Sequence, residues 1–270
     1  MLEISDKEFA QIADYIKRHF GIHLNREKKA LVSGRLSHLL LSLNMNSFSE
    51  YMDYVARDRT GEAARMFINR MTTNHTYFMR EEDHFHFFSR HVLPELRSRV
   101  KDRDLRIWSA GCSSGEEAYT LAMLIDEYLG SERSMWDAKL LATDISDQVL
   151  RKAASGVYSG ESIAQVPKKW RISYFKYNGN QQYEVIDRIK QEVIFRRFNL
   201  MDRFPFRRKF HVIFCRNVMI YFDEKTKNEL LDKFYDALEP HGYLFIGHSE
   251  TINRQASRFR YVMPAVYRKE

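Results

Sequence analysis

The chain has 270 residues, of which 44% are hydrophobic, and carries 43 basic against 36 acidic side chains for a formal net charge of +7. That length holds a core without covalent staples, as one large domain or two modest ones, and two cysteines, Cys112 and Cys215, make no disulfide framework. The first twenty residues mix acids and bases without an apolar core, and no apolar run approaches bilayer-spanning length, so a soluble cytoplasmic protein without membrane insertion is expected.

Residues 1 to about 75 read as a small all-helical domain. Ser5 with Glu8 three positions on forms a capping box, and Phe9, Ile12, Ala13, Ile16 and Phe20 recur at helical spacing until Gly21 stops the helix. A second helix is expected from about Asn25 to Leu43, with Ala30, Leu31, Leu36, Leu39, Leu40 and Leu43 as its apolar row. Arg26, Lys28, Lys29, Arg35 and His38 make it basic, either as a plain solvated face or as a surface for a partner. Two shorter helices follow near Phe48 to Ala56 and Glu62 to Arg70. Met71 to Arg80, MTTNHTYFMR, breaks the periodicity with short polar side chains, and suits a ligand-facing loop or an inter-domain connection equally. Residues 76–104 form the linker and connecting helix.

From Leu105 the pattern alternates strand and helix to the end of the chain, which predicts an α/β fold with a mostly parallel sheet. Leu105 to Tyr119, LRIWSAGCSSGEEAY, reads as a strand, a glycine-flanked turn and a helix opening on Glu116 and Glu117. Next come a strand Lys139 to Asp144 and a helix capped at Ser146 or Asp147. Later strands are expected at Val193 to Phe198, Phe210 to Cys215 and Tyr243 to Gly247, with a helix from Asp223 to Leu238 closed by Pro240-His241-Gly242. Between about 174 and 192 two short β-like runs flank Asn178-Gly179, an inserted hairpin within the 105–270 domain.

The turn Gly111 to Gly115 is G-x-x-x-G, neither the G-x-G-x-x-G of dinucleotide enzymes nor the phosphate loop of triphosphatases. A helix N-terminus attracts anions, but Glu116 and Glu117 would repel a pyrophosphate. Asp144 closes the second strand, where a carboxylate accepts ribose hydroxyls well. A ligand with a ribose, an ammonium and a sulfonium but no phosphate fits these acids, which points to S-adenosylmethionine. Asn199-Leu200 and Arg216-Asn217 stand at later strand ends that converge on the same crevice.

The segments MTTNHTYFMRE, WSAGCSSGEEAYTLAM, ATDISDQVL, FNLMDRF, IFCRNVMIYFD and LFIGHSE occur in this order, and through them nearly the whole chain resembles the CheR family of chemotaxis receptor methyltransferases. The resemblance implies a Rossmann-like methyltransferase sheet behind the helical domain. With Gly111 in the turn, Asn74, Thr76, Arg80, Glu117, Asp144, Asn199, Leu200, Arg216 and Asn217 would line the S-adenosylmethionine site. It further implies methyl transfer to glutamate side chains on the cytoplasmic helical region of chemoreceptors, giving glutamyl methyl esters and S-adenosylhomocysteine without a metal. A monomer recruited to membrane-bound receptor arrays is the expected form. Arg80 would orient the incoming carboxylate and Tyr221 would face the methyl group, while Lys28, Lys29, Arg35 and His38 would meet the acidic receptor. The chain departs from the family at Gly111-Cys112, at Ala118, and at Leu39 and Leu41 on the second helix, where relatives are often basic. It also has only Gly179 in the hairpin loop, where members that bind a receptor's C-terminal pentapeptide carry more glycines, so tether-independent action is expected. Two other readings compete: a nucleic-acid methyltransferase, against which stands the lack of an [N/D]-P-P-[Y/F] motif after the Phe210 strand, and a non-catalytic receptor-binding module.

Overall fold

A computed structural model describes residues 2–253 and 257–270. Helix α1 (Asp6–Phe20) begins on the expected capping box, with the Ser5 hydroxyl accepting from the Glu8 amide and Glu8 reaching back to Ser5. It ends on Gly21, whose φ of 72° is left-handed. A 3-10 turn, Arg26–Lys28, leads into α2 (Lys29–Ser42), followed by α3 (Phe48–Arg57) and α4 (Glu62–Met71). Their core gathers Ile12, Ile16, Val32, Leu36, Leu40, Phe48, Tyr51 and Phe67. The apolar row expected for α2 needs correction. Ala30 and Leu31 are exposed, Leu31 by 41%, and Val32 takes the inward place, because the stripe 32, 36, 39 and 40 lies a full residue turn away from Leu31.

The polar segment 72–77 has no regular structure and ends in a turn. Helix α5 (Glu82–Phe87), a π turn over Phe88–Val92 and α6 (Leu93–Arg99) then form one rod beneath the sheet. Its Phe85 and Phe88 pack on Phe214, which stacks on Phe245 at 4.2 Å.

The α/β part follows in chain order as β1 (Ile107–Ala110), α7 (Glu116–Leu129), β2 (Leu140–Asp144), α8 (Asp147–Ser155), β3 (Val157–Ser159), α9 (Lys168–Tyr174), β4 (Phe175–Tyr177), β5 (Gln182–Val185), α10 (Asp187–Lys190), β6 (Val193–Arg197), β7 (Phe210–Cys215), α11 (Glu224–Ala237), β8 (Leu238–Ile246), β9 (Arg260–Met263) and β10 (Val266–Arg268). The main sheet has the order β6-β2-β1-β7-β8-β10-β9. Its first five strands run parallel, and β10 and β9 close the edge antiparallel. The other face of the sheet is aromatic, with Trp108 at its centre against Phe198, Phe204, Phe206, Phe210 and Phe234.

Three features differ from the sequence reading. β8 starts at Leu238 directly after α11 and runs through Pro240-His241-Gly242, which is a bulge and not a loop: the register against β7 shifts between Phe210 and Val212, and His241 sits at φ 62°. The β4–β5 hairpin gains a third strand, β3, giving the order β3-β5-β4. The antiparallel β9–β10 pair adds two strands that the sequence reading lacks, of only 4 and 3 residues.

Successive strands leave β1 in opposite directions, toward β2 on one side and, later, β7 on the other, so the crevice beyond β1 and β7 is the topological switch point. The helical part covers this end of the sheet. The His23 amide donates to the Tyr221 carbonyl at 2.8 Å, Ile22 bridges Phe222, and Lys17 pairs with Asp223 at 2.7 Å. Ser146 Oγ, at the start of α8, donates to Asn69 Oδ1 on α4 at 2.8 Å instead of capping its own helix.

Candidate functional site

A cavity of about 400 Å3 opens where the helical part meets the C-terminal ends of β1, β2 and β7. The backbone around it is held in unusual conformations. Gly111 (φ 84°), Ser113 (φ 49°) and Gly115 (φ 95°) shape the turn after β1, and Met79, Glu81 and Asn217 are likewise left-handed. Such residues persist only where surrounding structure determines them, and they cluster at functional sites. At Gly111 the requirement is steric as well, because a Cβ there would lie 2.4 Å from Val218 Cγ2.

The turn positions Asp144. Its Oδ2 accepts from the Ser113 amide and its Oδ1 from the Ser146 amide, each at 2.9 Å. Burial raises the carboxyl above the usual aspartate range, and the amides of Ser146, Ser113 and Ile145 only partly offset that. Each carboxylate oxygen keeps acceptor capacity toward the cavity.

Of the two acids opening α7, only Glu117 reaches the cavity. Its Oε1 accepts from Ser109 Oγ at 2.7 Å and its Oε2 from Arg216 Nη1 at 2.9 Å. Glu116 turns inward to Ser114 Oγ, and burial pushes its carboxyl up. Arg216, 7% exposed, is clamped between Glu117 and Glu81, whose Oε2 accepts from Nη2 at 3.0 Å and from Nε at 3.3 Å. It also donates to the Arg80 carbonyl and lies over the Phe85 ring. Burial pushes the Glu81 carboxyl up, but the Arg216 guanidinium and the Asn217 amide outweigh it and hold the group below the usual range. Asn217 donates from Nδ2 to Glu81 Oε1 at 3.2 Å, and its own amide donates to Glu250 Oε2 at 2.9 Å. Glu250 also accepts from the Gly247 and Ile220 amides, fixing the loop after β7 against the end of β8. Behind Glu81, burial pushes the His84 imidazole down to about 3, with Arg216 and His248 adding to the effect, so the ring is neutral.

Asn74, Thr76, Arg80, Gly111, Glu117, Asp144, Asn199, Leu200, Arg216, Asn217 and Tyr221 all line this one cavity. They do not all face it with free polar groups. The Asn199 side chain is engaged within the protein, donating to the His19 carbonyl at 2.8 Å and accepting from the Met201 amide at 3.1 Å. Arg80 is half-buried and donates from Nη1 to the His75 carbonyl at 2.9 Å, its guanidinium standing 5.9 Å from the centre of the Tyr77 ring. Of the four side chains expected to meet a partner, Lys28 and Arg35 line the mouth of the cavity, whereas Lys29 and His38 lie outside it. Lys29 pairs with Asp6 at 2.5 Å, and Arg35 is tied to the Met71 carbonyl and, at 2.6 Å, to Thr73 Oγ1.

Sequence reasoning missed Glu81, Ser113 and Glu250. Glu81 and Glu250 stand inside two of the motifs quoted above, yet nothing in their spacing shows that Glu81 grips a side chain 135 residues away. Ser113 acts through its backbone amide, which composition does not reveal.

Residues 74–267 match the family model described as CheR methyltransferase, SAM binding domain, and residues 7–72 the one described as CheR methyltransferase, all-alpha domain. The chain is similar to the chemotaxis protein methyltransferase of Borreliella burgdorferi, with 43% identity covering 99% of this chain and 96% of that one. It is also similar to the chemotaxis protein methyltransferase of Escherichia coli, with 36% identity covering 98% and 92% respectively.

Proposed function

The chain belongs to the CheR methyltransferase family, and from that premise we propose that it transfers a methyl group from S-adenosylmethionine to glutamate side chains on the cytoplasmic helical region of chemoreceptors, forming glutamyl methyl esters. The observation that carries the reading is the convergence of the motif residues on one cavity at the switch point of the sheet, with the carboxylates of Glu117 and Asp144 in its wall. The division into a helical domain over 1–75, a connecting segment over 76–104 and a methyltransferase domain over 105–270, with its insertion at about 174–192, is part of the same proposal.

The donor set fits the methyl donor. Asp144 would hold the ribose hydroxyls, and Glu117 and the clamped Arg216 would face the amino-acid end with Asn74 and Thr76, while Gly111 lets the turn close against Val218 beside them. When bound, S-adenosylmethionine supplies an electrophilic methyl group. The chain's own residues then have three tasks: to hold the acceptor carboxylate, to exclude water and to set the approach. A glutamate is already ionised at neutral pH, so no general base is needed. Arg80, with most of its donors unengaged inside the protein, orients that carboxylate as a planar fork, and Tyr221 flanks it. Holding the reacting groups in near-attack geometry supplies about 7 kcal/mol or more in favourable cases.

The deciding experiment offers the protein S-adenosylmethionine labelled in the methyl group together with receptor protein. Label on the receptor that base releases as methanol supports the proposal. Receptor binding without transfer would leave a docking module, and label on nucleic acid would replace the substrate class.

Binding of the methyl donor is expected to depend on pH through Asp144. The ionised carboxylate is the form that accepts from hydroxyls, and burial raises its pKa in the free protein. Affinity therefore falls as the pH drops through that raised value, sooner than an exposed aspartate would allow. Calorimetric titration from neutral to mildly acidic pH follows this, and Asp144→Asn is expected to bind weakly with a flattened profile.

The receptor surface proposed here rests on fewer charges than the sequence suggested. Lys28 is exposed at the cavity mouth, while Arg35 is anchored to the polar segment it helps to shape. Lys28→Glu is expected to slow methylation of an acidic helical substrate at low salt, the difference shrinking as salt rises. An unchanged rate at low salt would reject steering by this residue. In the hairpin, Asn178, Gly179, Asn180 and Gln181 make a short turn between β4 and β5, which favours action on receptor arrays without a pentapeptide tether.

A further inference from the structure

Beside the cavity stands a cluster that shares Glu81 with the Arg216 clamp and adds two imidazoles, His84 and His248, that methyl transfer does not use. His84 on α5 is fully buried at 0% exposure, and neither ring nitrogen closes a hydrogen bond among the described residues. Glu81 Oε2 lies 3.6 Å from its Nδ1, and the Pro264 carbonyl is also close to the ring. His248, just beyond β8, is exposed, with its ring centre 4.5 Å from that of His84 and the two planes at 78°. One ligand atom from each of Glu81, His84 and His248 lies within 4.8 Å of the others. Leaving a buried imidazole without a partner costs free energy that a core residue of the same size would not. Here Nδ1 lies beside a carboxylate, and a second imidazole stands next to the ring.

We propose that Glu81, His84 and His248 form a binding site for a borderline divalent transition-metal ion of the zinc class, and that its occupation inhibits methyl transfer. Two imidazoles and a carboxylate are a zinc donor set, with a fourth position left for water, whereas magnesium and calcium require a shell of oxygens. Tetrahedral zinc with bonds of about 2.0–2.1 Å spaces its ligand atoms roughly 3.4 Å apart. The Glu81 to His84 separation already matches, and rotation of the exposed His248 closes the rest and gives the ion a way in. The ion would compete with Arg216, which donates from Nε and Nη2 to the same Glu81 oxygen, while Glu117 keeps hold of Nη1.

The coupling to the reaction follows from the same carboxylate. Glu81 Oε2 holds Arg216, and Oε1 holds Asn217. A metal takes the electron pair that Oε2 offers to Arg216 and adds positive charge beside it, so Arg216 loses the Glu81 half of its clamp and is left on Glu117, displaced from its place in the cavity wall. This inhibitory step rests on reading the cavity as the methyl-donor site, whereas the binding step does not.

The test uses the full untagged chain, stripped with a chelator and titrated with cobalt(II) alone. A visible d–d band of four-coordinate cobalt is expected, displaced by zinc. In His248→Ala, which changes an exposed side chain, the band should be lost and zinc affinity should fall at least about tenfold, the scale on which even outer-shell partners act. Zinc should inhibit methyl transfer by the parent chain and not by His248→Ala, whose rate in chelator should equal the parent's. Absence of the band, or equal affinity in the two proteins, overturns the site. Lost binding with equal zinc inhibition of both overturns the coupling alone. Should the chain transfer no methyl group at all, the cobalt and zinc titrations still decide the site.

Discussion

Replacing Arg216 by alanine is expected to destabilise the fold by about 3–5 kcal/mol and to abolish tight binding of S-adenosylmethionine. The guanidinium is buried between Glu81 and Glu117, and truncation leaves both carboxylates without their counter-charge away from water. Urea unfolding of the two proteins, without and with the methyl donor, measures both effects. Arg216→Ala combined with Glu81→Gln should recover part of the lost stability, since one of the two stranded charges is then gone. A stability within about 1 kcal/mol of the parent would show that the acids find other partners, and that the clamp is a weaker element than its burial suggests.

The second arginine is expected to behave in the opposite way. Arg80→Ala should lower turnover by more than about tenfold, a loss of roughly 1.4 kcal/mol or more in transition-state stabilisation, while stability changes by no more than about 0.5 kcal/mol and affinity for the methyl donor falls less than turnover. The reason lies in its surroundings: Arg80 is half-exposed, holds one backbone carbonyl and stands beside the Tyr77 ring, so little of the fold depends on it. A tight pair between Arg80 and the acceptor would also stabilise the ground state, so its gain must come from orientation. Steady-state kinetics with receptor as acceptor, alongside calorimetric binding of S-adenosylmethionine, separates the two. Equal losses of turnover and binding would make Arg80 a plain contact for the donor.

The contrast between these arginines shows where the sequence was legible. Both stand in segments that the motif reading marked, MTTNHTYFMRE and IFCRNVMIYFD, and both line the cavity. Nothing local distinguishes a clamped guanidinium from a free one. That difference depends on Glu81, held at φ 55° so that its carboxylate faces back toward β7. The same limit applies to Glu116 and Glu117. Adjacent residues on a helix point about 100° apart, so one acid had to face away from the ligand, but which one depended on Ser114 and Ser109.

What the sequence determined by itself was the local grammar and the order of elements. The Ser5–Glu8 capping box and the Gly21 stop are interactions among neighbours in the chain, so they can be read from spacing. The alternation after Leu105 likewise implies a parallel sheet, because parallel strands need a crossover between them, and Asn178-Gly179 marks its hairpin by the backbone freedom of those two residues. The tertiary structure alone decided what depends on distant partners. It turned Val32 inward in place of Leu31, carried β8 through Pro240 by a bulge against β7, and added β3 to the hairpin. It also brought His84 and Glu81 to His248, and Glu81 to Arg216. These contacts join residues far apart in the chain, and their energies arise from burial and paired charge, which no spacing within a single segment encodes.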